Sequence, residues 1–171
     1  GGVIHEISEM QIMNMGNYAH GNQPIQHMLY MYDYSGQPWK AQMRIREVMD
    51  KFYNANPDGY CGDEDNGQTS AWYVFYPVCP ASNQYAMGTP VFRKMTVKLA
   101  DGKTITITAD GNSDEAFYVK NVSVNGRNIS RSYFTREELA AGAEINFTMS
   151  DKPEKSRGTD RKDRPYSMSA E

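Results

Sequence analysis

The chain has 171 residues, 39% of them hydrophobic and 23% charged, with a formal net charge of −3. This is an ordinary globular composition of a size for one domain or parts of two. The lack of a basic excess argues against a nucleic-acid surface, and no apolar run is long enough to cross a bilayer.

The chain changes character near residue 80. Before it, apolar spacing is helical, and Met and Tyr, numbering 11 and 12 in the whole chain, crowd this half and suit irregular helix–helix packing. A short helical stretch is expected over Ile7 to Met15. Asn22 can cap the next helix, with Pro24 in its first turn, Ile25, Met28, Leu29 and Tyr32 on one face, and Gly36 at its end. Pro38 begins another, with Trp39, Met43, Val48, Met49 and Phe52 inward, stopped by residues 54–59. A third helix is predicted from near Glu64 and must end by Pro77. Helices joined by short turns read as antiparallel hairpins.

After residue 88 the period becomes two. Val91, Met95, Val97 and Leu99 share one strand face. Asp101-Gly102 signals a hairpin returning over Thr104 to Ala109. Phe117 to Val124 is a third strand, turning at Asn125-Gly126. Thr135 and Glu138 form a capping box for a short helix through Ala141, and Glu144 to Met149 is a last strand. The charged segment from Ser150 is expected to be a mobile tail.

Residues 58–68 (Asp-Gly-Tyr-Cys-Gly-Asp-Glu-Asp-Asn-Gly-Gln) form the densest polar cluster, with glycines that permit an exposed backbone. Its acids lead into a helix, whose N-terminus favours ionised carboxylates. Such a group can act as a general base or ligate a hard cation. Taken singly, Asp63 is more simply an N-cap, and Glu64 and Asp65 first-turn partners of the helix dipole. The EF-hand spacing lacks its later Glu. A second cluster, His20 to His27, sits at a helix entry. In a third, His5 and Glu9 are four apart and would share a helix face. These groups suit sugar hydroxyls or a metal, although a lone histidine more often hydrogen-bonds locally. No second His completes the H-E-x-x-H zinc motif. Cys61 and Cys79 either close a short loop or, as the simpler reading, stay as thiols; two are too few for a scaffold. Asn121, Asn128 and Asn146 begin short glycosylation-type matches of low specificity.

Several longer motifs, in order, resemble glycoside hydrolase family 92. Residues 14–24 (Asn-Met-Gly-Asn-Tyr-Ala-His-Gly-Asn-Gln-Pro) are similar to its helix-entry motif, and residues 34–40 (Tyr-Ser-Gly-Gln-Pro-Trp-Lys) to its next inter-helix turn. Residues 57–59, 62–68 and 70–75 resemble its base-bearing loop and helix. Residues 76–78, 80–82 and the strand from Val91 also fit, so the likeness spans roughly residues 3 to 150.

The resemblance implies an inverting, calcium-dependent exo-α-mannosidase, built in the family from a β-sandwich and an α/α toroid. The expected fold here is α+β: antiparallel helical hairpins from the end of the toroid over residues 1–80, a small antiparallel β unit over 81–150, and the tail over 151–171. Asp65 and Asp63 match the base-side aspartates. His5 and Glu6 match a pair that contacts the sugar on the leaving-group side in α-1,2-specific members. Asn22 and Gln23 fall among the sugar contacts, and Glu9 and Gln23 among the calcium contacts. The implied substrate is a mannose-containing oligosaccharide or N-glycan. The remainder of the parent polypeptide is an implied partner, and export to a bacterial periplasm or cell surface is the implied location.

Two departures bear on this. The family's acid-bearing Glu-Gly-Asn-Ala-Trp type motif does not occur in the chain, which is therefore expected to be the base-side part of a longer enzyme. The alternative is a non-catalytic carbohydrate-binding or structural fragment. A few residues that the family carries after Phe75 are also missing, which would shorten that helix by about one turn.

Overall fold

The computed structural model describes residue 3 and residues 7–12, 32–55, 74–77 and 82–166. Within these, strand β1 is Ile7–Ile12, helix α1 is Pro38–Ala55, and β2 is Phe75–Pro77. Then follow β3 (Gln84–Met87), β4 (Lys94–Leu99), β5 (Thr104–Thr108), β6 (Tyr118–Val124) and β7 (Arg127–Ile129). The last elements are β8 (Tyr133–Thr135), helix α2 (Arg136–Ala140), β9 (Ala143–Ser150) and a 3-10 turn over Arg161–Asp163.

The strands make two sheets, one ordered β1-β4-β5-β9-β6-β7 and one ordered β2-β3-β8. The β4–β5 hairpin forms because Gly102, at φ 88°, accepts the left-handed backbone of its turn, while Asp101 Oδ1 accepts the Lys103 N–H at 3.0 Å. Asn125 and Gly126 both have positive φ and join β6 to β7 as a type I′ turn. The expected antiparallel unit is corrected to a mixed sheet: β1 runs parallel to β4, and β5 parallel to β9.

The alternation read from the sequence sets the core. Met95, Val97 and Leu99 of β4, Ile105 and Ile107 of β5, Val122 and Val124 of β6 and Ile145 and Phe147 of β9 are all buried. They share one hydrophobic cluster with α1 and with the second sheet, where Phe75 and Phe134 meet edge-on at 5.4 Å. Each such side chain contributes about 1.5–3 kcal/mol of transfer free energy. That cluster draws on described residues from both sides of residue 80.

The chain is helical at Val74 and the helix has ended before Pro77, as required, giving way to β2, which pairs with β3. Three expectations change. Ile7–Ile12 is a strand, because β4 supplies hydrogen-bonding partners that a local pattern cannot reveal. The inner stripe of α1 is Ala41, Ile45 and Met49, accompanied by buried Gln42 and Arg46, whereas Trp39, Met43 and Val48 are only partly buried. Polar groups displace the expected apolar face because the β unit offers them partners. Finally, residues 151–166 are not a free tail: Arg157 and Asp163 are buried there, held by hydrogen bonds to the β7–β8 region. Residues 32–34 are helical and Gly36 has φ 76°, as the helix-ending glycine suggests.

Candidate functional site

The acidic cluster lies between two anchored elements. Residues 56–73, which carry Asp63 and Asp65, follow the end of α1 and precede Val74 and β2. Val74 and Phe75 are fully buried, and Val74 O accepts the Gly88 N–H at 3.1 Å. The chain that follows residue 73 is thus anchored in packed structure.

α1 is held to the β unit by polar side chains. Gln42 Oε1 accepts the Val119 N–H at 2.8 Å. Arg46 donates through Nη1 to Ser113 O at 2.8 Å, and through Nη2 to Pro90 O at 3.0 Å and to Asn112 Oδ1. Its guanidinium also lies 5.7 Å from the Phe117 ring centre. Asn112, fully buried, gives its Nδ2 to Pro90 O at 2.8 Å and Phe92 O at 2.9 Å. Burial lowers the Arg46 pKa, against the fields of Asp50 and Asp114. Burial likewise raises the Asp50 carboxyl, one turn further along α1, while Arg46 opposes the rise.

At the other end of α1, Asp33 is completely buried, and its carboxyl stands well above the usual carboxylate range. Burial is the main cause, and the nearby Arg157 opposes it. Burial in turn depresses Arg157 to about 10, with Asp33 and Asp163 resisting. In the sequence these anchors show only as polar residues on an apolar helix face and an arginine in a charged stretch.

Of the residues singled out from the sequence, His5, Glu6, Asn22, Gln23, Asp63 and Asp65 lie outside the described residues, as do Cys61 and Cys79. Glu9 falls in β1, at a place where the register shifts: Ile7 pairs with Met95 but Met10 with Val97, so three steps on β1 match two on β4. Such a bulge re-aims the strand locally. Glu9 is thus on a strand and does not share a helix face with His5. Among the described residues no three His, Cys, Asp or Glu side chains gather as a metal site, and no helix is long and apolar enough to cross a membrane.

Residues 3–151 match the glycosyl hydrolase family 92 catalytic domain. The fold is similar to that of a family GH92 inverting mannosidase from Bacteroides thetaiotaomicron, at 51% identity and a TM-score of 0.72, over 90% of this chain and 21% of that one. It is also similar to a family GH92 alpha-mannosidase of the same organism in complex with mannoimidazole, at 41% identity and TM-score 0.75, over 88% of this chain and 20% of that one. Another structure of that enzyme matches at 38% identity and TM-score 0.76, over 91% and 22%. The chain thus spans about a fifth of the length of these relatives. No curated protein matches it.

Proposed function

This chain belongs to glycosyl hydrolase family 92, and from that premise we propose that it forms the general-base side of an α-mannosidase. The parent polypeptide would release terminal α-linked mannose, with α-1,2 linkages preferred, from mannose-containing oligosaccharides or N-glycans. The observation that carries the reading is the continuous family match over residues 3–151.

An inverting glycosidase spaces its two carboxyl groups about 6.5–9.5 Å apart, leaving room for a water. In this reading Asp65, assisted by Asp63, takes a proton from that water as it attacks the anomeric carbon. The general acid comes from the remainder of the parent polypeptide and protonates the departing oxygen. Attack on the face opposite the leaving group converts an α-mannoside into β-mannose. His5 and Glu6 meet the sugar on the leaving-group side, and Asn22 and Gln23 hold the terminal mannose. The part of the described residues is mechanical: Gln42 and Arg46 pin α1, and the burial of Val74 and Phe75 fixes the chain on the far side of the segment that carries Asp63 and Asp65.

Calcium is the proposed cofactor, with Glu9 and Gln23 among its ligands. A carboxylate and an amide oxygen are hard donors of the kind this ion takes. When bound, it supplies a fixed positive charge that orients mannose hydroxyls. Export to a bacterial periplasm or cell surface completes the proposal.

The test is release of mannose from α-1,2-linked mannobiose by the full-length parent and by this chain alone, with calcium and with a chelator. Proton NMR of the first product gives its anomer. β-Mannose released by the parent only, calcium-dependent, and reduced about 10²–10⁴-fold by Asp65→Asn, is the expected result. Initial α-mannose, or an Asp65→Asn enzyme of full activity, would overturn the mechanism. Mannose binding by the parent without turnover would favour the non-catalytic alternative.

A further inference from the structure

The family match stops at residue 151, yet the next fifteen residues carry two of the buried charges of the structure, Arg157 and Asp163. This segment touches three separate elements. Arg157 Nη2 donates to the carbonyls of Ile129 at 3.1 Å and Arg131 at 2.9 Å, at the end of β7 and in the connection to β8. Asp163 accepts from Ser130 Oγ at 2.8 Å, and its own carbonyl accepts the Ser132 N–H at 2.6 Å. Tyr166 N–H donates to Gln84 Oε1, on β3, at 2.6 Å.

The same segment closes on the helical corner that leads into α1. A Cβ on Gly158 would collide with Ser132 Oγ and lie 2.9 Å from Pro38 Cγ. A Cβ on Gly36 would lie 2.8 Å from Arg164 Nε. Both glycines have positive φ, which favours glycine at each, and at Gly158 the close approach to Ser132 and Pro38 adds to that requirement. Asp33, buried in that corner, is the acidic group that acts on Arg157 across the contact. A solvated tail would need neither the buried guanidinium nor the two tight glycine contacts.

We infer that residues 151–166 are a clasp that fastens the helical corner at residues 32–38 to the β unit, with Arg157 and Gly158 as its fastening residues. Because the corner leads directly into α1, the clasp also positions α1, which precedes the segment that carries Asp63 and Asp65. That second clause rests on the proposed function; the clasp itself does not.

Hydrogen exchange on the full chain, read by mass spectrometry, tests it. Arg157→Met is expected to speed exchange of amides in residues 32–50 at least tenfold, while Val97, Ile107 and Ile145 in the central strands keep their protection. Arg157→Lys, which keeps the charge but loses the fork that spans two carbonyls, gives an intermediate rate and guards against a variant that fails to fold. Unchanged exchange at residues 32–50 in Arg157→Met and Arg157→Lys, or equal loss of protection over the central strands in Arg157→Lys, would overturn the clasp. In the parent enzyme, Arg157→Lys should lower kcat and leave KM unchanged. A parent without mannosidase activity would refute the proposed function and leave the exchange result standing.

Discussion

Arg131 and Glu138 form a two-pronged ion pair, Nη1 to Oε2 at 2.6 Å and Nη2 to Oε1 at 2.8 Å, and Glu138 Oε2 also accepts the Thr135 N–H at 2.6 Å. One carboxylate thus closes the capping box of α2 and ties that helix to the connection between β7 and β8. Charge-assisted forks of this kind exceed ordinary hydrogen bonds in strength.

Glu138→Gln should cost about 1–2 kcal/mol at neutral pH, from a weakened cap and a lost charge. Burial raises the Glu138 carboxyl, but the bonds from Arg131 and Thr135 outweigh it and leave the group below its ordinary value. A carboxyl depressed in the folded state stabilises above its unfolded pKa, about 4.3, and that share is lost as the pH falls through the folded value. Urea unfolding at pH 7 and pH 3 should show the difference between the two proteins shrinking in acid. A constant difference would mean that the pair contributes only packing.

Asn112→Ala should be more damaging, by about 2–4 kcal/mol. It removes an acceptor from buried Arg46 and leaves the carbonyls of Pro90 and Phe92 without the Asn112 amide. Since Arg46 pins α1, exchange protection along α1 should fall before that of β5. Thermal melts give the magnitude, and a loss under about 0.5 kcal/mol, typical of an uncoupled surface site, would contradict the anchor.

Gly142→Ala and Gly111→Ala form a matched pair. Gly142 has φ 80°, its N–H donates to Leu139 O at 3.1 Å to end α2, and a Cβ there would lie 3.0 Å from Thr104 O. Left-handed backbone costs a non-glycine residue about 1–2 kcal/mol, before any shift of Thr104. Gly111 has open space around it and no positive φ. The first substitution should lower the melting temperature and the second leave it nearly unchanged.

The β unit was legible because its pairing is local and its alternation clean: Met95, Val97 and Leu99, then Ile105 and Ile107, point the same way along one hairpin. The capping box of Thr135 and Glu138 was legible for the same reason, since both partners lie within four residues. β1 misled because its bulge sets three steps from Ile7 to Met10 against two on β4, and that spacing imitates a helix. Its partner β4 lies far along the chain. The clasp was illegible because Arg157 and Asp163 sit in a run of charges whose burial depends on carbonyls of the β7–β8 region. The proposed catalytic residues were read from motif order, and the described residues supply only the frame that carries Asp63 and Asp65.

Asp33 makes the last prediction, and its sign is opposite to that of Glu138. Burial holds its carboxyl well above the usual range despite Arg157. In the unfolded chain it loses its proton near about pH 3.9, while the folded protein retains it to higher pH. Over that interval the folded state binds more protons, so this group's contribution is full below about pH 4 and declines as the pH rises through the folded value. Asp33→Asn has no such group to titrate. Urea unfolding of both proteins from pH 4 to pH 8 should therefore show the wild type losing stability with rising pH relative to the variant. The difference should level off once the folded carboxyl has ionised. Parallel curves would mean that the carboxyl titrates normally, and that the helical corner opens to solvent more readily than its buried position implies.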